Sequence, residues 1–193
     1  AILATLLGCQ GVDEFKLELP RALDAGVTPV MAKEVVYQAV DYLGIGRVKP
    51  FLDATNEILT ERGVKLPLEG QATTTMENRL EKGVQAQVAI FGDGMKEAWK
   101  NGHINRWLAA NCFGDYYTRT GLTLAQREMI TFCFLAAQGG CEPQLTAHAG
   151  GNMNLGNDPD FLIRVVSQCL PYIGYPRSLN AITCIHKAAE SRK

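Results

Sequence analysis

The chain has 193 residues, 47% of them apolar, which is enough to bury a core as one domain or as two small fused ones. Nineteen basic residues against twenty acidic ones leave a formal charge of −1, and no Lys/Arg cluster with interleaved aromatics offers a phosphate-binding stripe, so no nucleic-acid partner is expected. The longest apolar runs, such as Ile130 to Ala137, fall well short of the roughly 20 residues that cross a bilayer, so no membrane partner is expected either.

Apolar residues recur at spacings of three and four almost throughout and the alternation of a half-buried strand is absent, which predicts an all-α fold. The opening ILATLLG reads as the tail of a helix. A helix follows from Val12 to Ala25, ended by Gly26; Thr28 caps the next, with Pro29 in its first turn, running to about Leu43. Gly44 and Gly46 make a break. A helix from Val48 to about Arg62 accommodates Pro50 in its first turn, and Gly63 stops it. Residues 63–74, GVKLPLEGQATT, read as a linker. Thr75 with Asn78, or Thr74 with Glu77, caps a helix to Ile90. Another spans Ile104 to Tyr117 and is stopped by Thr118-Arg119-Thr120-Gly121. Thr123 caps Leu124 to Gln138, Gly139-Gly140 breaks it, and Glu142 to Leu155 follows. Asp158 caps a helix to about Tyr172, and Pro176 opens the last, to about Glu190.

The chain also contains part of itself twice. Residues 1–54 lie on residues 131–184 at a constant offset of 130 without a gap, pairing Gly26, Val27 and Pro29 with Gly156, Asn157 and Pro159. Val35, Val36, Gln38, Tyr42, Gly44 and Arg47 likewise meet Val165, Val166, Gln168, Tyr172, Gly174 and Arg177. The expected organisation is a first copy at 1–62, the linker at 63–74 and a second copy at 75–193, as a fused pair of helical units. The copies differ where chemistry would sit, because Gly11, Glu14 and Glu18 stand opposite Cys141, Gln144 and His148. Only the second copy looks equipped.

Within QGGCEPQLTAH, Pro143 suits a first helical position, which puts Glu142 at the cap and Cys141 just before it, facing a helix N-terminus that favours an anion. Spacings of three, four and seven lie on one helical face, so Cys141, Gln144 and His148 point into one pocket. Glu128, on the preceding helix, is placed to orient the imidazole. Tyr116, Tyr117, Arg119 and Arg127 are candidates for an acid-binding pocket, and Tyr172 and Tyr175 for packing. Six cysteines without a CxxC argue for a reducing, cytoplasmic compartment. Three histidines without zinc-site spacing give no metal signal.

These residues carry a resemblance. FGDYYTRTGLTLAQREMITFCFLAAQGG, EPQLTAHAGGNMNLGN and YIGYPRSLNAI, with RLEKG upstream, look like the carboxymuconolactone decarboxylase family, closely over Met76 to Lys193 and, through the internal match, weakly over 1–62. The resemblance implies an alkylhydroperoxidase-D-like helical bundle in two tandem repeats. It also implies a homo-oligomer, a trimer or possibly a hexamer.

In the peroxidase branch of that family a glutamate precedes CxxC and a histidine. Here the frame is Glu128, Cys141-Glu142-Pro143-Gln144, His148, and Gln144 replaces the second cysteine. The decarboxylase branch releases carbon dioxide from a carboxylated unsaturated lactone and needs no cofactor. The first expectation is therefore a cofactor-free decarboxylase acting on a small acid or lactone. His148 would be proton or oxyanion donor, Glu128 its orienting partner, Arg119 or Arg127 a carboxylate clamp, and Cys141, Gln144 and Tyr117 pocket residues. The alternative is a thiol-dependent peroxidase using Cys141; the third is a non-catalytic assembly or binding protein.

Overall fold

The computed structural model describes residues 1–192. Among these there are helices and no strand. They are α1 (Ile2–Gly8), α2 (Val12–Asp24), α3 (Pro29–Leu43), α4 (Ile45–Glu61), α5 (Arg79–Phe91), α6 (His103–Trp107), α7 (Leu124–Gln138), α8 (Glu142–Asn154) and α9 (Pro159–Glu190). No helix among the described residues is long and apolar enough to cross a membrane.

Three of the expected caps are made, at Thr28, Thr123 and Asp158, while neither Thr74 nor Thr75 caps α5. The hydroxyl of Thr28 accepts from the Met31 amide, and Thr123 forms a reciprocal box with Gln126. The Asp158 carboxylate accepts from the Phe161 amide. Adding 130 to the bounds of α2 and of α3 gives those of α8 and of 159–173, the first part of α9. That part ends at Gly174, whose φ of 74° kinks α9, as Gly44, with φ 79°, separates α3 from α4. A side chain is strained in this left-handed region, which is why glycine stands at both positions.

Three boundaries differ from expectation. α4 begins at Ile45, so Gly46 lies inside it and Pro50 falls in its second turn. α5 starts only at Arg79, because Asn78 is used in a turn, its side chain accepting from the Thr75 amide. The helix expected over Ile104 to Tyr117 is α-helical only to Trp107 and then widens into a π-helix, Leu108–Tyr116, whose last turn is closed by the Tyr117 amide bonding to the Cys112 carbonyl. Its neighbour α5 explains why the backbones come so close. A Cβ on Gly83 would lie 1.7 Å from the Ala109 carbonyl oxygen, and one on Gly114 would lie 2.1 Å from that of Arg79.

One core runs through both halves of the chain. Leu6, Phe15, Leu19, Val36 and Phe51 from α1–α4 pack in the same cluster as Phe132, Phe134, Leu162 and Ile185 from α7–α9. The halves share their interior instead of closing two separate ones. A smaller cluster of Ile90, Cys112, Phe113 and Tyr117 joins α5 to the π-helix. The site lies between the two clusters.

Candidate active site

A cavity of about 730 Å³ opens where α3, α5, the π-helix, α7 and α8 converge, lined among others by Tyr42, Phe91, Phe113, Leu135, Cys141, Gln144 and His148. Its size suits a small organic ligand. Cys141, Gln144 and His148 thus line one cavity, as their helical spacing implies. No Lys or Arg of the described residues lines it.

His148 is 8% exposed. Its Nδ1–H donates to the Glu128 carboxylate, at 2.9 Å from Oε2 and 3.1 Å from Oε1. Phe91 and Tyr42 stand edge-on to the imidazole, with ring centroids 5.3 and 5.6 Å away. With Nδ1 held from behind, Nε2 is the ring nitrogen left for a ligand. Glu128 is fully buried; besides His148 it accepts from the Tyr117 hydroxyl at 2.8 Å. The space for the pair depends on a glycine of α8, because a Cβ on Gly151 would lie 2.7 Å from Glu128 Oε2 and from Ile90 Cγ2.

Behind the dyad the polar contacts continue into the core. Tyr117 shares hydrogen bonds with the Tyr42 hydroxyl at 2.8 Å and the Thr131 hydroxyl at 2.7 Å. Gln38 donates to Thr131 and to the Arg127 carbonyl, and its own oxygen accepts from Arg127. Arg127 also bonds Glu34 at 3.0 Å, and Arg119 forks onto the same carboxylate at 2.8–3.0 Å. Burial pulls the Arg127 pKa down against the raising effect of Glu34. Neither arginine lines the cavity. Tyr117 is a partner of Glu128 and not a cavity wall, and Tyr116 lies outside the cavity as well. Tyr175, expected in packing, is 69% exposed.

Cys141 differs from expectation in two respects. It is itself the cap residue of α8, with Glu142 the first helical residue and Pro143 the second, and its side chain makes no cap bond. Its thiol turns back to α7 and donates to the Leu135 carbonyl at 3.5 Å, while the Gln138 amide approaches at 3.7 Å. Burial, aided by Glu142 and Cys184, raises the thiol pKa against the lowering effect of Gln138. The thiol therefore bonds the end of α7 and not the amides that open α8. Cys112, on the π-helix, lines the same cavity, and its pKa is raised well above the ordinary range, chiefly by burial.

Asp41, Tyr42, Gln87 and Cys112 were not legible as site residues, since nothing in their local pattern distinguishes them from helix-face residues. The Asp41 pKa is raised to about 7, first by burial and also by Asp115, against a lowering contact from Cys112. Among the described residues, Asp41 Oδ2, Gln87 Oε1 and Arg127 Nε are buried without a hydrogen-bond partner, each at a cost of about 1–3 kcal/mol. No group of three or more metal-ligating side chains occurs among the described residues. Residues 103–187 match the model of the carboxymuconolactone decarboxylase family, a stretch that includes His148, Glu128 and Cys141. No curated protein matches the chain.

Proposed function

We propose, from the premise that residues 103–187 are a carboxymuconolactone decarboxylase family domain, that the chain is a cofactor-free enzyme. It would release carbon dioxide from a carboxylated lactone or a related small acid. The observation that carries this reading is the His148–Glu128 pair at the wall of a largely apolar cavity. Loss of carbon dioxide sends electrons along the conjugated system to the lactone oxygen, and a carbon is then protonated. Nδ1–H is held by Glu128, so it is an Nε2–H of His148 that hands its proton to the substrate carbon, and Nε2 then takes up a proton from solvent for the next cycle. His148, when protonated, is also the cation available to a substrate carboxylate, and the apolar lining favours a neutral departing group over a solvated anion. Six unbridged cysteines suit a reducing, cytoplasmic setting. The coincident helix bounds of α2 and α8 support reading the chain as two copies of one unit, which would assemble as a trimer.

The alternative, a peroxidase using Cys141, is disfavoured by the raised pKa of its thiol. The test is carbon dioxide release from a panel of carboxylated unsaturated lactones. Turnover that falls by roughly two orders of magnitude in Glu128→Gln supports the reading; turnover of none of them, with rapid reduction of peroxides instead, overturns it.

A further inference from the structure

The dyad leaves part of the cavity wall unexplained. Two of the three buried side-chain atoms without a hydrogen-bond partner among the described residues, Asp41 Oδ2 and Gln87 Oε1, belong to residues that line this one cavity. They come from different elements, Asp41 from α3 and Gln87 from α5, and Gln87 is only 1% exposed. Interiors satisfy nearly all buried polar groups, so two exceptions on one cavity point to a missing partner that a ligand supplies. That partner must offer a hydrogen to Gln87 Oε1. With no Lys or Arg of the described residues in the lining and apolar walls around it, the group is uncharged. Burial raises the Asp41 pKa to about 7, and below that pH its carboxyl presents both a donor and an acceptor. A hydroxyl is the simple uncharged group that both donates, as Gln87 Oε1 requires, and accepts, as a protonated Asp41 requires.

We propose that Asp41 and Gln87 are specificity residues that bind a hydroxyl, phenolic or enolic, on the substrate of the His148–Glu128 site. The proposal rests on the proton-transfer reading of the same cavity and names its substrate class: a small carboxylated molecule, otherwise largely apolar, with a hydroxyl placed away from the carboxylate and from the carbon that exchanges its proton. A site built to pair a hydroxyl discriminates against an analogue that lacks the donor, because its own polar groups then stay unpaired.

The experiment is a titration of the isotopically labelled full chain, followed by NMR, with 4-methylphenol, its methyl ether 4-methylanisole and benzylamine. The phenol is expected to bind roughly ten-fold or more tightly than the ether and more tightly than benzylamine. Gln87→Met and Asp41→Leu should abolish that preference while leaving ether binding in place, which also shows that the cavity has kept its shape. Both variants should melt at a higher temperature than the parent, since each removes an unpaired buried group. Equal affinity for phenol and ether, tighter binding of benzylamine, or no binding of the phenol at all would overturn the proposal. His148→Ala separates it from the catalytic reading. The preference should survive in that variant, and its loss there with retention in Gln87→Met would move recognition to the dyad.

Discussion

Asp41 holds a proton in the folded chain that it would release in the unfolded one, and this has a measurable sign. Its pKa is raised from 3.8 to about 7, mainly by burial, with Asp115 adding to the shift and Cys112 opposing it; Tyr116 also lies near. Below the lower value both states are protonated and the residue contributes nothing to the pH dependence. Between the two values the folded state keeps a proton that the unfolded state has lost, so stability falls as pH rises, and above about 7 the loss is complete. Each unit of difference corresponds to about 1.4 kcal/mol. Asp41→Asn should flatten this part of the profile. The check is the difference in melting temperature between variant and parent at about pH 4.5 and about pH 8, which should be larger, in favour of the variant, at the higher pH. At the same scale, the pairing of Cys141, Gln144 and His148 was legible because helical spacing alone decides it. The state of the Cys141 thiol was not, because it depends on burial and on a carbonyl of the preceding helix. Alkylation of Cys141, in a chain whose other five cysteines are replaced, should follow an apparent pKa above the unperturbed value of about 8.5.

At the scale of elements, the site depends on two close approaches that glycine allows. Where α8 passes α7 and α5, Gly151 leaves room for Glu128 and Ile90. Gly151→Ala pushes a methyl group onto the carboxylate that positions His148. Overpacking of this kind costs about 1–3 kcal/mol, and the variant should lose turnover out of proportion to its loss of stability. Thermal melting beside a rate assay checks this, and unchanged turnover would show that Glu128 does not need its present place. Helix starts with a side-chain cap, at Thr28, Thr123 and Asp158, were readable because the cap is a local hydrogen bond. The π-helix was not, since no local pattern announces it; it lies in close backbone contact with α5, which is distant in sequence. Asp41 and Gln87 look in sequence like any helix-face residues, because only the fold brings α3 and α5 to one cavity.

Across the whole molecule, polar contacts run from the cavity to the junction of the halves: His148, Glu128, Tyr117, Thr131, Gln38, Arg127, Glu34 and Arg119. Arg119 and Arg127 looked from sequence like a carboxylate clamp, yet their anion is Glu34 of α3, a residue of the other half of the chain. Arg127→Ala leaves Glu34 buried with one cation fewer and should destabilise the protein by roughly 3–5 kcal/mol, read as a shift in denaturant midpoint. The core common to α1–α4 and α7–α9 likewise calls for one cooperative unfolding transition, coincident by circular dichroism and fluorescence; two transitions would contradict a shared interior. The account as a whole rests on proton transfer by His148 with Cys141 as a wall of the cavity. Its most direct test sets Cys141→Ser beside His148→Ala, each assayed for carbon dioxide release from carboxylated lactones and for peroxide reduction. The account predicts that Cys141→Ser keeps the lyase activity within a few-fold while His148→Ala loses roughly two orders of magnitude or more. Peroxide reduction that is abolished by Cys141→Ser, with lactone turnover indifferent to His148→Ala, would contradict it.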